Sequence, residues 1–133
     1  TDFDGKAAAA TGLFKEGNDF VFVHLEAPDE CGHRGERENK IKAIELIDEK
    51  ILAPVNEYLK SSGEHYRILV MPDHPTPLCT KTHSSAPVPF MIYDSETSCD
   101  GAIFTEDGAK ATGIYIDDSR LLMPTFINGG FIK

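Results

Sequence analysis

Apolar positions along the chain follow two rhythms that alternate. Residues 20–25, Phe-Val-Phe-Val-His-Leu, form a nearly continuous run of aromatic and β-branched side chains, the signature of a central strand covered on both faces. Ile41, Ile44, Ile47, Ile51, Val55 and Leu59 then recur every three or four positions between charged residues, which predicts a long amphipathic helix. Pro54 should kink or divide that helix, and Ser61-Ser62-Gly63 should close it. Residues 67–71, Arg-Ile-Leu-Val-Met, read as a second buried strand. Strand, helix, strand is the repeating unit of an α/β sheet, whose functional groups gather at the C-terminal ends of the strands.

The flanking stretches add smaller elements. Residues 4–15 contain four consecutive alanines followed by Leu13 and Phe14, a helix with Asp2 or Asp4 as N-cap and Gly17 as terminator. Residues 88–93, Val-Pro-Phe-Met-Ile-Tyr, predict a third strand, with Pro87 and Pro89 suited to its first residues or to a sheet edge. Further on the pattern weakens. Thr105 can cap a short helical turn, residues 114–116 a short strand, and Ser119 a last helix over 122–127 in spite of Pro124. No repeat or linker interrupts the chain, so one domain over 1–133 is expected.

Composition narrows the class. A chain of 133 residues with 41% hydrophobic content can build one compact domain, although a domain of this size buries only about two-thirds of the surface its unfolded chain exposes. A formal charge of −9 and an isoelectric point near 4.9 argue against nucleic acid and anionic membrane surfaces as partners. An anionic substrate would need a metal or an arginine to receive it. Three cysteines without framework spacing read as reduced thiols, with no bridge expected and a cytoplasmic setting. No stretch approaches the ~20 apolar residues of a membrane span, and no signal-peptide layout opens the chain.

Candidate chemistry sits close to the strand ends. Asp29 and His33 follow the first strand in a loop, Asp73 and His74 follow the second in Pro-Asp-His-Pro-Thr-Pro, and His83 comes shortly after in Thr-Lys-Thr-His. Two carboxylates and three imidazoles suit Mn²⁺ or Zn²⁺, with Mg²⁺ less at home among histidines. Five ligands exceed the need of one ion and allow a pair, the arrangement that serves phosphoryl transfer. The plain alternative has Asp29 and Asp73 in ordinary proline turns and His83 in solvent. His24, inside a strand, reads as a hydrogen-bonded core residue and His65 as exposed. Cys31 and Cys79 read as small buried fillers. Lys6, Arg34 and Lys81 could neutralise a phosphate or simply be solvated. No phosphate-binding glycine loop, serine-hydrolase elbow or dinucleotide fingerprint is present.

The segments Val-His-Leu-Glu-Ala-Pro-Asp-Glu-Cys-Gly-His, Lys-Ile-Lys-Ala-Ile-Glu-Leu-Ile-Asp, Met-Pro-Asp-His-Pro-Thr-Pro and Thr-His-Ser-Ser-Ala-Pro-Val-Pro-Phe-Met-Ile-Tyr together resemble the archaeal-type, cofactor-independent phosphoglycerate mutases of the alkaline phosphatase superfamily. The likeness runs from about Asp4 to Tyr93, with a fainter echo over 120–124. It implies an α/β fold, part of a three-layer α/β/α core. It also implies that Asp29, His33 and His83 hold one divalent metal and that Asp73 and His74 belong to a second. Two metal ions are expected in the complete enzyme, Mn²⁺ ahead of Zn²⁺ and Mg²⁺. The second metal's early aspartate and the serine nucleophile are not recognisable here, so the resemblance implies a C-terminal segment of the enzyme.

The activity so implied is interconversion of 3-phosphoglycerate and 2-phosphoglycerate through a phosphoserine, with this segment alone inactive. Its partners would be a phosphorylated small molecule and the missing N-terminal part. A truncated sheet would expose apolar edges, so self-association is expected. A related phosphotransferase or phosphatase, such as a homoserine kinase-like protein, is the second reading, and a non-catalytic metal-binding domain the third.

Overall fold

The computed structural model describes residues 1–98 and 100–130. The chain forms two compact units. Unit 1 comprises Thr1–Glu64 and Thr76–Ser84, and unit 2 comprises His65–Pro75 and Ser85–Lys133.

Unit 1 is helical. Helix α1 (Phe3–Lys15) begins where the Asp2 carboxylate accepts the Gly5 N–H at 2.9 Å, and it ends ahead of Gly17, whose φ of 91° suits only glycine well. Helix α2 (Ala27–Arg34) opens on Pro28 with Asp29 and Glu30 in its first turn and closes on left-handed Gly35. Helix α3 (Arg37–Ile47) runs into a π-helical segment (Asp48–Leu52) and then α4 (Ala53–Ser62), which Gly63 caps in the left-handed conformation.

The predicted long helix is therefore present, but Pro54 does not simply break it. Proline cannot donate to the carbonyl four residues back and its ring crowds that group. The wider π turn lies directly upstream, where such a mismatch can be absorbed. Alanines 7, 10 and 43 and Ile51 are buried in the interior of this unit. The small side chains of α1 let it lie close to the π segment, and Phe14 stacks on Tyr58 of α4 with ring centroids 6.4 Å apart.

Residues 20–25 depart from expectation. They join no strand among the described residues, and their side chains alternate between exposed (Phe20, Phe22, His24) and half-buried (Val21, Val23, Leu25). A period of two is the habit of a strand with one face covered, and a ladder additionally requires a neighbour that pattern alone cannot supply. Phe22 is 73% exposed. His24 is exposed as well, not a core histidine; its backbone carbonyl accepts from Lys6 Nζ at 2.8 Å.

Unit 2 contains the sheet: β1 (Arg67–Val70) pairs antiparallel with β2 (Met91–Asp94), in a register that sets Arg67 opposite Asp94. The second and third predicted strands are thus present in shortened form, β2 beginning after Pro89 as a ladder requires. Thr105 caps α5 (Glu106–Ala111) by accepting from the Gly108 N–H at 3.0 Å. Residues 114–116 form no strand. Asp118, not Ser119, caps a 3₁₀ turn (Ser119–Leu121) that leads into α6 (Leu122–Asn128), which takes Pro124 within its first turn.

Unit 2 contains a part-buried ion pair built on the buried carboxylate of Asp94. Arg67 Nε donates to Asp94 Oδ2 at 2.6 Å and its Nη1 to the Ile127 carbonyl at 3.0 Å, tying the sheet to the end of α6. His65 is exposed, as expected, and places Nε2 3.0 Å from the same Asp94 oxygen. Burial opposes ionisation of Asp94. The Glu96 N–H, His65 and Arg67 outweigh that effect and hold its carboxyl at about 2.

Among the described residues no helix is long and apolar enough to cross a membrane.

Candidate metal centre

Asp29 and His33 lie four residues apart, and the structure places them on helix α2, not in a loop. That spacing stacks both side chains on one helical face. His83 arrives from the returning segment of unit 1 and completes the group. Asp29 Oδ2 is 3.4 Å from His33 Nε2, Asp29 Oδ1 is 3.3 Å from His83 Nε2, and the two Nε2 atoms are 3.1 Å apart. One donor atom from each residue lies within 4.8 Å of the others.

The donor set fits a cation. Ligands about 2.0–2.1 Å from a tetrahedral ion stand about 3.3–3.4 Å from one another, close to the separations found here. Tautomer assignment supports the same fit. The Lys81 carbonyl, 3.0 Å from His33 Nδ1, can only accept, so Nδ1 carries a proton and the neutral ring turns its Nε2 lone pair toward Asp29 and His83. Lys81 itself has φ 54°, a left-handed conformation unusual for a side chain of this kind.

Packing beneath the carboxylate is equally specific. Thr76, 4% exposed, donates its hydroxyl to Asp29 Oδ1 and offers its backbone carbonyl to Lys40 Nζ at 2.7 Å. Gly32 makes this approach possible: a Cβ there would stand 2.6 Å from the Thr76 carbonyl oxygen and 2.9 Å from its methyl group. Cys31 is buried on the same helix, whereas Cys79 is exposed and not the buried filler expected; both are free thiols, and Cys99 lies outside the described residues.

The other candidates fall elsewhere. Asp73 and His74 belong to unit 2 and are not part of the three-residue group; Asp73 Oδ2 and His74 Nε2 are 4.0 Å apart. Arg34 is engaged by Glu36 at 2.7 Å, a hydrogen bond that raises the guanidinium's pKa and, with help from Asn39, lowers that of Glu36. Thr76 and the Lys81 carbonyl are the groups that the sequence pattern does not mark.

A family profile described as Metalloenzyme superfamily matches residues 1–113. The chain belongs to the metalloenzyme superfamily. Among relatives, the chain is 49% identical over 112 residues to a 2,3-bisphosphoglycerate-independent phosphoglycerate mutase of Methanosarcina barkeri, an alignment covering 83% of this chain and 28% of the relative. It is 42% identical over 130 residues to a probable enzyme of the same name from Geobacter sulfurreducens, covering 96% of this chain and 32% of the relative. A Methanothrix thermoacetophila mutase is likewise 42% identical over 130 residues, 97% of this chain and 33% of its own length. The chain thus spans about a third of the length of the curated relatives it matches. No solved structure matches it significantly.

Proposed function

We propose that this chain is the metal-holding part of a 2,3-bisphosphoglycerate-independent phosphoglycerate mutase, a metal-dependent enzyme that interconverts 3-phosphoglycerate and 2-phosphoglycerate through a phosphoserine. The observation that carries the reading is the convergence of Asp29, His33 and His83, with His33 turned by Lys81 so that its lone pair faces the other two. The names and identities of the relatives supply the reaction.

In this reading Asp29, His33 and His83 hold one divalent ion, Mn²⁺ being preferred, while Asp73 and His74 contribute to a second. Bound metal would supply positive charge to a phosphoryl group and lower the pKa of a coordinated hydroxyl. The chain's own task is to keep two neutral imidazoles and one carboxylate aimed at a single point. The serine nucleophile and the remaining ligands come from the rest of the polypeptide, which completes a three-layer α/β/α core. The setting is cytoplasmic and the substrate a phosphorylated small molecule.

Assay of the full-length protein with 3-phosphoglycerate, and separately with homoserine and ATP, tests the reading. Mutase turnover that chelation abolishes and Mn²⁺ restores is the expected result. Phosphorylation of homoserine without mutase activity would replace it with the kinase-like alternative.

A further inference from the structure

Each of the three clustered side chains needs something to hold it, and the structure shows where two of those supports come from. Segment 76–83 delivers not only His83 but also the carbonyl of Lys81 for His33 and the hydroxyl of Thr76 for Asp29. We propose that Thr76 is the positioning residue of this centre: its hydroxyl fixes the Asp29 carboxylate in the rotamer that binds a divalent cation. The inference rests on the metal reading above and goes beyond it by assigning a role to a residue that would not touch the ion.

Three independent restraints make Thr76 suited to that work. It lies between Pro75 and Pro77, and a proline at the next position confines its backbone to extended conformations. Its carbonyl is held by Lys40 from α3. Its methyl and carbonyl both press against Gly32, one turn from Asp29 and adjacent to His33. A hydroxyl so held, on a residue itself nearly closed to water, donates its proton to Oδ1. Asp29 is then committed before any ion arrives, and the rotamer freedom a carboxylate would lose on binding is already spent.

The test is isothermal titration of Mn²⁺ into the 133-residue chain and its variants, with thermal melts in EDTA alongside. Thr76→Val keeps the shape and removes the hydroxyl, and is expected to weaken Mn²⁺ binding about tenfold to hundredfold, the usual effect of losing a ligand's supporting partner. Thr76→Ser keeps the hydroxyl and should bind within a few-fold of the parent, even where loss of the methyl lowers the melting temperature. A role confined to folding would show the opposite ranking, with affinity following the melting temperature and not the hydroxyl. Should valine not be accommodated, Thr76→Ala against Thr76→Ser gives the same contrast without added bulk.

Parent-like affinity in Thr76→Val, in a chain where Asp29→Ala abolishes binding, would overturn the positioning role and leave the metal site standing. Absence of any Mn²⁺ binding sensitive to Asp29→Ala would overturn both.

Discussion

His33 and His83, fifty positions apart in the chain, meet with their Nε2 atoms 3.1 Å from each other. Because His33 Nδ1 is committed to the Lys81 carbonyl, its Nε2 is the acceptor in the neutral ring. The pair is then favourable in two ways: His83 donates a proton across the gap, or both nitrogens face a shared cation. Mutation of either histidine therefore removes half of a matched pair.

Loss of a ligand should exceed loss of a support. His83→Ala and Asp29→Ala are each expected to reduce Mn²⁺ affinity more than the roughly hundredfold upper range typical of a supporting group, measured by calorimetry on the 133-residue chain. Far-ultraviolet circular dichroism should stay helical, since His83 is exposed and Asp29 only half-buried. Unchanged affinity in both variants would rule out this ligand set.

Gly32→Ala tests the packing of segment 76–84 against α2. The added methyl would stand 2.6 Å from a carbonyl oxygen, a contact to which the backbone must yield. Overpacking of this kind costs about 1–3 kcal/mol, read as a lowered urea midpoint, and metal affinity should fall with it because both supports arrive on the displaced segment. An unaffected midpoint would mean the segment moves freely.

Acid should weaken unit 2 in a defined window. The Asp94 carboxyl sits at about 2 in the fold against 3.8 ordinarily. A depressed carboxyl contributes stability that is complete above its unfolded value and drains away as pH falls toward the folded value. Melting temperature should therefore decline between about pH 4 and pH 2 in the parent, and decline less over that interval in Asp94→Asn, which starts lower. Equal slopes would count against the ion pair with Arg67.

Residues 20–25 give a prediction about association. Phe20 and Phe22 are exposed along a stretch with no ladder partner among the described residues, the arrangement that invites strand addition. A second copy of the chain is the expected occupant in purified material, and Phe22→Lys should shift light-scattering mass toward the monomer. A monomeric parent at the same concentration would refute this.

Legibility in the sequence differs residue by residue. Helix α1 is readable because alanine propensity and the Asp2 cap act locally. The long helix is readable from its isoleucines, but not the π turn, which reflects how Pro54 is accommodated. Pro28 reads as a turn residue, although proline before Asp29 and Glu30 is equally a helix opening; only the spatial course of the next turn of chain separates the two. Residues 20–25 carry strand composition, yet pairing depends on a neighbour. His65 and Asp94 lie 29 positions apart, and nothing local in either announces the other. Lys81 contributes a carbonyl, a group every residue has, so no sequence pattern could mark it.

Unit 1 is not a continuous length of chain: it leaves at Glu64 and resumes at Thr76. An ion gripped by His33 and His83 would act as a clasp, closing a loop of about fifty residues whose ends would otherwise have to be brought together at an entropic cost of several RT. Metal supply and retention of the returning segment are then one equilibrium. Chelation should loosen residues 76–84 first, so that a protease added with EDTA would find its earliest cuts there.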